Sequence, residues 1–326
     1  MDTAKYLFVR VLEACNADCF MCGFALSRDG YRLGADELAA ILRQTAAMGV
    51  QYLRFTGGEP LMHREITSLV RVGSQMSTQV SLITNGFLLP RMAAELAEAG
   101  LSQVVVSIDS AFAEQHDEYR NTLGLFDKAF AGMAEARRHS ILIRVNTVVG
   151  PHNYQAMPAL GRILKDAGVS HWELSALKLS SKISYVDRAD VLRVGKEVYA
   201  GPGLMPMGKK WYGDTPEEQD RYFELGIPPR PSGPVCRVTD DVMYLDPKSG
   251  YLFPCSLLPH RSAPALHGGH VLADDGTFVL NSSQFEERRL FFRQNGPSIC
   301  TGCSSSAAGY SDFQTEAGEP RPAWSY

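Results

Sequence analysis

The chain has 326 residues, 45% of them hydrophobic and 21% charged, which is enough apolar material for one large core and a smaller lobe. Net charge is −4 with no long run of Lys or Arg, which argues against a nucleic-acid partner. Met1-Asp2-Thr3-Ala4-Lys5 opens no apolar signal segment and no apolar run reaches bilayer length, so a cytoplasmic protein with no membrane partner is expected. In a reducing compartment the seven cysteines read as metal ligands rather than disulfides. They fall into two groups, 15/19/22 and 236/255/300/303, with none between.

Tyr6–Leu12 reads as a strand that ends just before the first cysteines. Ala35–Met48 is a predicted helix, with Leu38, Ile41, Leu42 and Thr45 on one face and Gly49 as its stop. Gln51–Phe55 is a strand running into Thr56-Gly57-Gly58-Glu59-Pro60, and Arg64–Gln75 a helix. Val80–Thr84 (strand, ending at Asn85-Gly86), Leu88–Ala99 (helix) and Gln103–Ile108 (strand, ending at Asp109) follow. A broken helical region at Ala113–His139, a strand at Ile141–Val149, a helix at Tyr154–Ala167 and a strand at His171–Leu177 complete six strand–helix repeats. The alternation predicts an α/β fold, a partial (β/α)6 TIM-like barrel over residues 1–180, with its chemistry at the C-terminal strand ends. Residues 181–235 are rich in Gly and Pro and read as a bridging segment, helical only at Glu217–Glu224. Residues 236–326 read as a small C-terminal lobe, with a hairpin from Tyr244 to Phe253 and a helix at Phe285–Gln294.

Cys15, Cys19 and Cys22 are spaced C-x3-C-x2-C. Such a loop can ligate three irons of a [4Fe–4S] cube and leave the fourth open, or it can be a structural zinc knot or a set of reduced core thiols. Together with Gly57-Gly58-Glu59-Pro60 after the second strand, the triad resembles the signature of the radical S-adenosylmethionine (SAM) enzymes. The resemblance implies that the open iron binds SAM and that Gly57, Gly58, Glu59 and Pro60 hold its amino group. It also implies that Ser107 and Asp109 meet its ribose and Arg120 its carboxylate, with Asn85 and Asn146 further candidates. Asp109 read plainly is a helix cap, and Arg120 a surface salt bridge. The family carries an aromatic residue just before the third cysteine; here it is Met21, whose thioether can still pack on adenine.

Cys236, Cys255, Cys300 and Cys303 are spaced C-x18-C-x44-C-x2-C, enough thiolates for a second [4Fe–4S] cluster or a tetrahedral zinc. The spacing resembles the twitch lobe, a shortened SPASM domain with one auxiliary cluster, of the aminocyclitol and sugar dehydrogenases of antibiotic biosynthesis. The resemblance implies reductive cleavage of SAM to a 5′-deoxyadenosyl radical, with an external flavodoxin- or ferredoxin-type donor. It implies hydrogen abstraction from a sugar, aminocyclitol or nucleoside, ending in a carbonyl. Redox-neutral decarboxylation or epimerisation, and peptide modification, are the alternatives. Substrate candidates at the expected mouth are Glu13, Lys178, Lys182, Lys209, Lys210 and Trp211, the lysines being otherwise solvated. His267-Gly268-Gly269-His270 reads as a loop.

Overall fold

The structure is a computed structural model of the chain and describes residues 6–22, 24, 27, 29–76, 79–177, 187–206, 211–213, 215–225, 242–255, 269–270 and 278–299. Strands β1 (Tyr6–Leu12), β2 (Tyr52–Gly57), β3 (Gln79–Thr84), β4 (Leu101–Ser107), β5 (Leu142–Val149) and β6 (His171–Ala176) run parallel in sequential order. Between them lie α1 (Ala35–Ala46), α2 (Ile66–Gln75), α3 (Leu89–Glu98), the pair α4 (Ala113–Tyr119) and α5 (Leu125–Arg138), and α6 (Met157–Asp166). The sheet is not closed, as a partial barrel requires; β6 is one of its edges. Among the described residues no helix is long and apolar enough to cross a membrane.

The period-2 alternation of the strands divides the interior in two. Leu7, Val9 and Val11 of β1, Leu53 and Phe55 of β2, and Val104 and Val106 of β4 face outward and form the main core with the helices. Tyr6 and Phe8 face the concave side, in a second cluster with aromatic residues from beyond the barrel repeats.

Two sequence expectations are corrected here. The segment 181–235 holds a thirteen-residue helix, α7 (Arg188–Ala200), besides the expected short one, α8 (Pro216–Leu225). Asp187 caps α7, accepting hydrogen bonds from the backbone of Ala189 and Asp190, and Val191, Val194 and Val198 are buried at helical spacing. That signal is legible in the sequence, but the Gly/Pro density downstream obscures it.

The hairpin expected in the C-terminal lobe is continuous with the barrel sheet. Strands β7 (Val242–Asp246), β8 (Tyr251–Phe253) and β9 (Gly269–His270) extend the barrel sheet, in the order β6-β5-β4-β3-β2-β1-β7-β8-β9. β7 lies parallel to β1, with Tyr6 opposite Val242 and Phe8 opposite Tyr244. All five β7 residues are buried, because β1 would otherwise present an open apolar edge. The final helix, α9 (Ser282–Ile299), reaches beyond both expected ends.

Candidate active site at the mouth of the barrel

The cysteine loop starts where β1 ends, and the loop after β2 crosses directly over it. Gly58 N donates to Leu12 O at 3.0 Å and Glu59 N to Ala14 O at 2.9 Å. The crossing requires both glycines. Gly57 has φ +142°, and a Cβ on it would stand 2.2 Å from Leu12 O; a Cβ on Gly58 would stand 2.3 Å from both Glu13 O and Ala14 O. The glycines therefore position the cysteine loop itself.

Glu59 is 1% exposed and ties this crossing to the next strand end. Its Oε1 accepts from Thr84 Oγ1 at 2.7 Å and Leu61 N at 3.0 Å, and its Oε2 from Asn85 N at 2.7 Å. Burial pushes its carboxyl above the usual range, and the bonds from Asn85, Leu61 and Thr84 oppose that. Pro60 begins a 3-10 turn that this carboxylate caps. Asn85 in turn donates to Asn16 Oδ1 at 2.7 Å and lies 4.0 Å from Cys15 Sγ.

The three thiols differ in environment. Cys15 is half-buried and accepts from Ala17 N at 3.5 Å; Cys19 is buried, with Arg120 Nη1 3.9 Å from its sulfur; Cys22 is exposed. Burial pushes the Cys19 thiol up to about 11, against the pull of Arg120, and raises that of Cys15 as well. Both are protonated at neutral pH, so binding iron must release their protons. Among the described residues no group of three or more His, Cys, Asp or Glu is gathered for a single metal ion. A cubane instead takes one thiolate on each of three irons, and three cysteines within one short loop at a strand end suit that chemistry.

Asp109, expected at the SAM ribose, is fully enclosed. Its Oδ2 receives Arg120 Nε at 2.9 Å and Nη2 at 2.7 Å, and its Oδ1 accepts from Val148 N at 2.9 Å. Asp109 thus aims the guanidinium toward Cys19 from the far side of the loop. Asn153 fixes the Asp109 carbonyl at 2.7 Å, and Asp109 N donates to His116 Nδ1 at 3.1 Å. Burial first, then Arg120, pushes the buried His116 imidazole down to about 4. The folded chain therefore refuses a proton that the unfolded chain accepts below its ordinary value near 6.5. This contribution to stability is complete above about pH 6.5 and is lost as pH falls toward 4. The His116→Gln variant is expected to lose less melting temperature than wild type between pH 7 and pH 5. Parallel melting curves for the two proteins would exclude His116 as the group responsible.

Ser107 and Asn146 stand opposite each other in register on the concave face, both half-buried, with Asn146 Oδ1 accepting from Ser175 Oγ at 3.0 Å. Glu13 is bound by Arg10 at 2.7 Å and by Ser27. Met21 is half-buried, whereas its neighbour Phe20 is 56% exposed and makes edge contacts with Tyr119 and His152 at 6.2 and 5.0 Å. Trp211, expected at the mouth, is instead core: it is buried among Tyr154, Tyr212 and Tyr222, the last of them on α8. Cys255, just past the end of β8, packs on the concave aromatic cluster of Tyr6, Phe8, Val242, Tyr244 and Phe253. Cys236, Cys300, Cys303, Lys178, Lys182, Lys209 and Lys210 lie outside the described residues. Sequence reasoning misses Asn16 and Asn153, which bond Asn85 and the Asp109 carbonyl from distant segments, His116, which takes the Asp109 amide from seven residues on, and the concave-face arginines, which a period-2 reading of each strand exposes.

The family model for the Radical SAM superfamily matches residues 9–172, half of the chain and nearly all of the barrel. The chain belongs to the radical SAM superfamily. Membership implies a [4Fe–4S] cluster and SAM, and Cys15, Cys19 and Cys22 are the residues that would hold that cluster. The chain is 32% identical over 172 residues to an AdoMet-dependent heme synthase of Methanosarcina barkeri, covering 52% of this chain and 49% of that one. It is also 32% identical over 164 residues to a probable GTP 3′,8-cyclase of Methanopyrus kandleri, covering 48% and 52%. It thus spans about half the length of the curated relatives it matches. In fold it resembles Streptococcus suis SuiB bound to S-adenosylmethionine (TM-score 0.67, 17% identity, 94% of this chain and 72% of that one). It also resembles anSMEcpe with bound AdoMet (TM-score 0.65, 15% identity, 94% and 88%).

Proposed function

We propose that the mouth of this barrel cleaves SAM reductively and directs the product radical at a small polar molecule standing on the concave face. The observation that carries this reading is the cysteine loop locked by Gly57 and Gly58 over a strand-end rim of polar side chains. When bound there, the cluster supplies the electron that splits SAM into methionine and a 5′-deoxyadenosyl radical, which takes a hydrogen atom from an unactivated carbon. The chain's own residues place the reactants. Glu59 and Asn85 fix the rim, and Arg120, held by Asp109, offers the remaining N–H donors of its fork to a carboxylate. Exposed Phe20 stands where it can stack on a purine, beside or in place of Met21.

The finer reading is oxidation of a carbinol on a sugar, aminocyclitol or nucleoside. One hydrogen leaves as an atom to the radical; the second leaves as a proton and an electron. An auxiliary [4Fe–4S] cluster on Cys236, Cys255, Cys300 and Cys303 is the proposed electron acceptor. Cys255, two residues past the end of β8, packs against the concave aromatic cluster that includes Tyr6 and Phe8, on the face where the substrate is proposed to stand. A second reading, peptide modification, draws on the fold of SuiB, solved with precursor peptide SuiA, which matches 95% of this chain at a TM-score of 0.65.

Anaerobic reconstitution tests both layers. About eight irons per chain are expected for two cubanes, falling to about four when Cys15, Cys19 and Cys22 become Ala, with loss of 5′-deoxyadenosine release. Wild-type protein that takes up a full complement of iron yet leaves SAM intact under dithionite would sink the first layer. Four irons unaffected by Cys255→Ala would remove the auxiliary cluster and the oxidative outcome with it.

A further inference from the structure

Three arginines of the described strands project onto the concave face, and two of them are neutralised there. Arg10 pairs with Asp246 and Glu13, and Arg144 pairs with Glu173. Arg54 differs: among the described residues it meets no carboxylate. Its Nε donates to Ser81 Oγ at 3.0 Å, its Nη2 to Gln103 Oε1 at 2.8 Å, and its guanidinium lies 5.3 Å over the Phe8 ring. Those bonds use the Nε–Nη2 edge and leave the outer Nη1–Nη2 edge, two parallel N–H donors, without a partner among the described residues. Gln103 is 2% exposed, and its buried Nε2 is likewise unpartnered. A buried amide donor left short of an acceptor is costly unless something supplies one, and the guanidinium beside it carries a charge that no ion pair balances.

The register places these groups at the bottom of the concave space. Phe8, Arg54, Ser81 and Gln103 form one layer across β1 to β4 and are all buried. Nearer the mouth, Thr56, Ile83, Ser107, Asn146 and Glu173 are half-buried. Below, the stacked rings of Tyr6 and Tyr52, 4.6 Å apart, close the space. The layer lies three residues beneath Gly57, roughly 10 Å below the cysteine loop at the rise of a strand. Burial, then Arg144, pushes the Arg54 guanidinium down to about 9 against the pull of Glu173, which is itself paired with Arg144, so Arg54 remains charged at neutral pH and would gain from a counter-ion of its own.

We propose that the Arg54–Gln103 layer is an anion-binding floor that holds a carboxylate of the substrate, with the carbon to be attacked about 10 Å above it. A planar monoanion matches the outer guanidinium edge in a bidentate pair and takes a third bond from Gln103 Nε2. A phosphate dianion would bring a second charge that one unpaired arginine does not balance. The inference deepens the reading of the concave face as the substrate space and rests on it.

Equilibrium dialysis of the cluster-loaded protein against benzoate and its neutral isostere benzamide tests the floor without the true substrate. Wild type is expected to bind benzoate at least tenfold more tightly than benzamide, and Arg54→Gln to abolish that preference while still releasing 5′-deoxyadenosine from SAM. Ile83→Glu, which sets a carboxylate one layer above Ser81, is expected to abolish benzoate binding with Arg54 in place, and so serves if Arg54→Gln does not fold. No preference for benzoate in wild type, or the same preference in both variants, overturns the floor. Loss of SAM cleavage in wild type would instead overturn the radical reading and leave the binding result standing.

Discussion

Gly58→Ala is expected to reduce 5′-deoxyadenosine release by at least about 100-fold and to deplete the protein of about four irons. The added methyl would sit 2.3 Å from two successive carbonyl oxygens, those of Glu13 and Ala14. Both are backbone atoms, so no rotamer change relieves the overlap. The loop after β1 must retreat by about 1 Å, which breaks the bonds from Gly58 N to Leu12 O and from Glu59 N to Ala14 O. Ala14 immediately precedes Cys15, so the displacement reaches the first iron ligand directly. Gly57→Ala should be as severe, because its φ of +142° is strained for any L side chain and its Cβ would stand 2.2 Å from Leu12 O. Gly30→Ala, with no atom within 4 Å of the new Cβ, is the control and should match wild type. Iron determination and quantified 5′-deoxyadenosine decide the matter; a Gly58→Ala protein with wild-type values for both would mean that the loop is not held by this crossing.

Asp109→Ala should be the most destabilising single change at the site, by about 3–5 kcal/mol. It leaves the Arg120 guanidinium, 8% exposed, without its counter-ion and takes the acceptor from Val148 N. That loss is a large fraction of the roughly 5–15 kcal/mol that holds a domain together. It lowers the melting temperature by on the order of 10 °C. The double variant Asp109→Leu/Arg120→Met removes both charges and should recover much of the stability. It should not recover SAM binding, because the donors aimed past Cys19 are gone. Thermal melts paired with SAM titration separate the two effects. Equal stability of the single and double variants would show that the pair is not the source of the loss, and full SAM affinity in the double variant would remove Arg120 from the site.

The six strands of the barrel are legible in the sequence because each is a short apolar run, four of them closed by Gly57, Asn85, Asp109 and Gly150, and because the fold's chemistry gathers at strand ends. The helix Arg188–Ala200 was missed although Asp187 and the valine stripe announce it. The Gly/Pro density that follows it masks the stripe. The polar residues at the strand ends are legible in the sequence, but the bonds that several of them make to one another are not. Glu59 clamps Thr84 and Asn85, and Asp109 clamps Arg120. Such pairings join residues 11 to 26 positions apart that no local pattern connects.

By itself the sequence determined the cysteine spacing, the alternation of strand and helix and the glycine pair, because these follow from local geometry and ligand chemistry. Only the tertiary structure decided that the glycines carry the cysteine loop, since a steric limit between two loops exists only once β1 and β2 lie side by side. It also decided that Val242–Asp246 completes the barrel sheet beside β1, because an unpaired strand edge is satisfied by whichever segment reaches it. The same register separates Arg54 from its two neutralised neighbours: the charge of a buried arginine acquires meaning only from what the adjacent strands bring to its level.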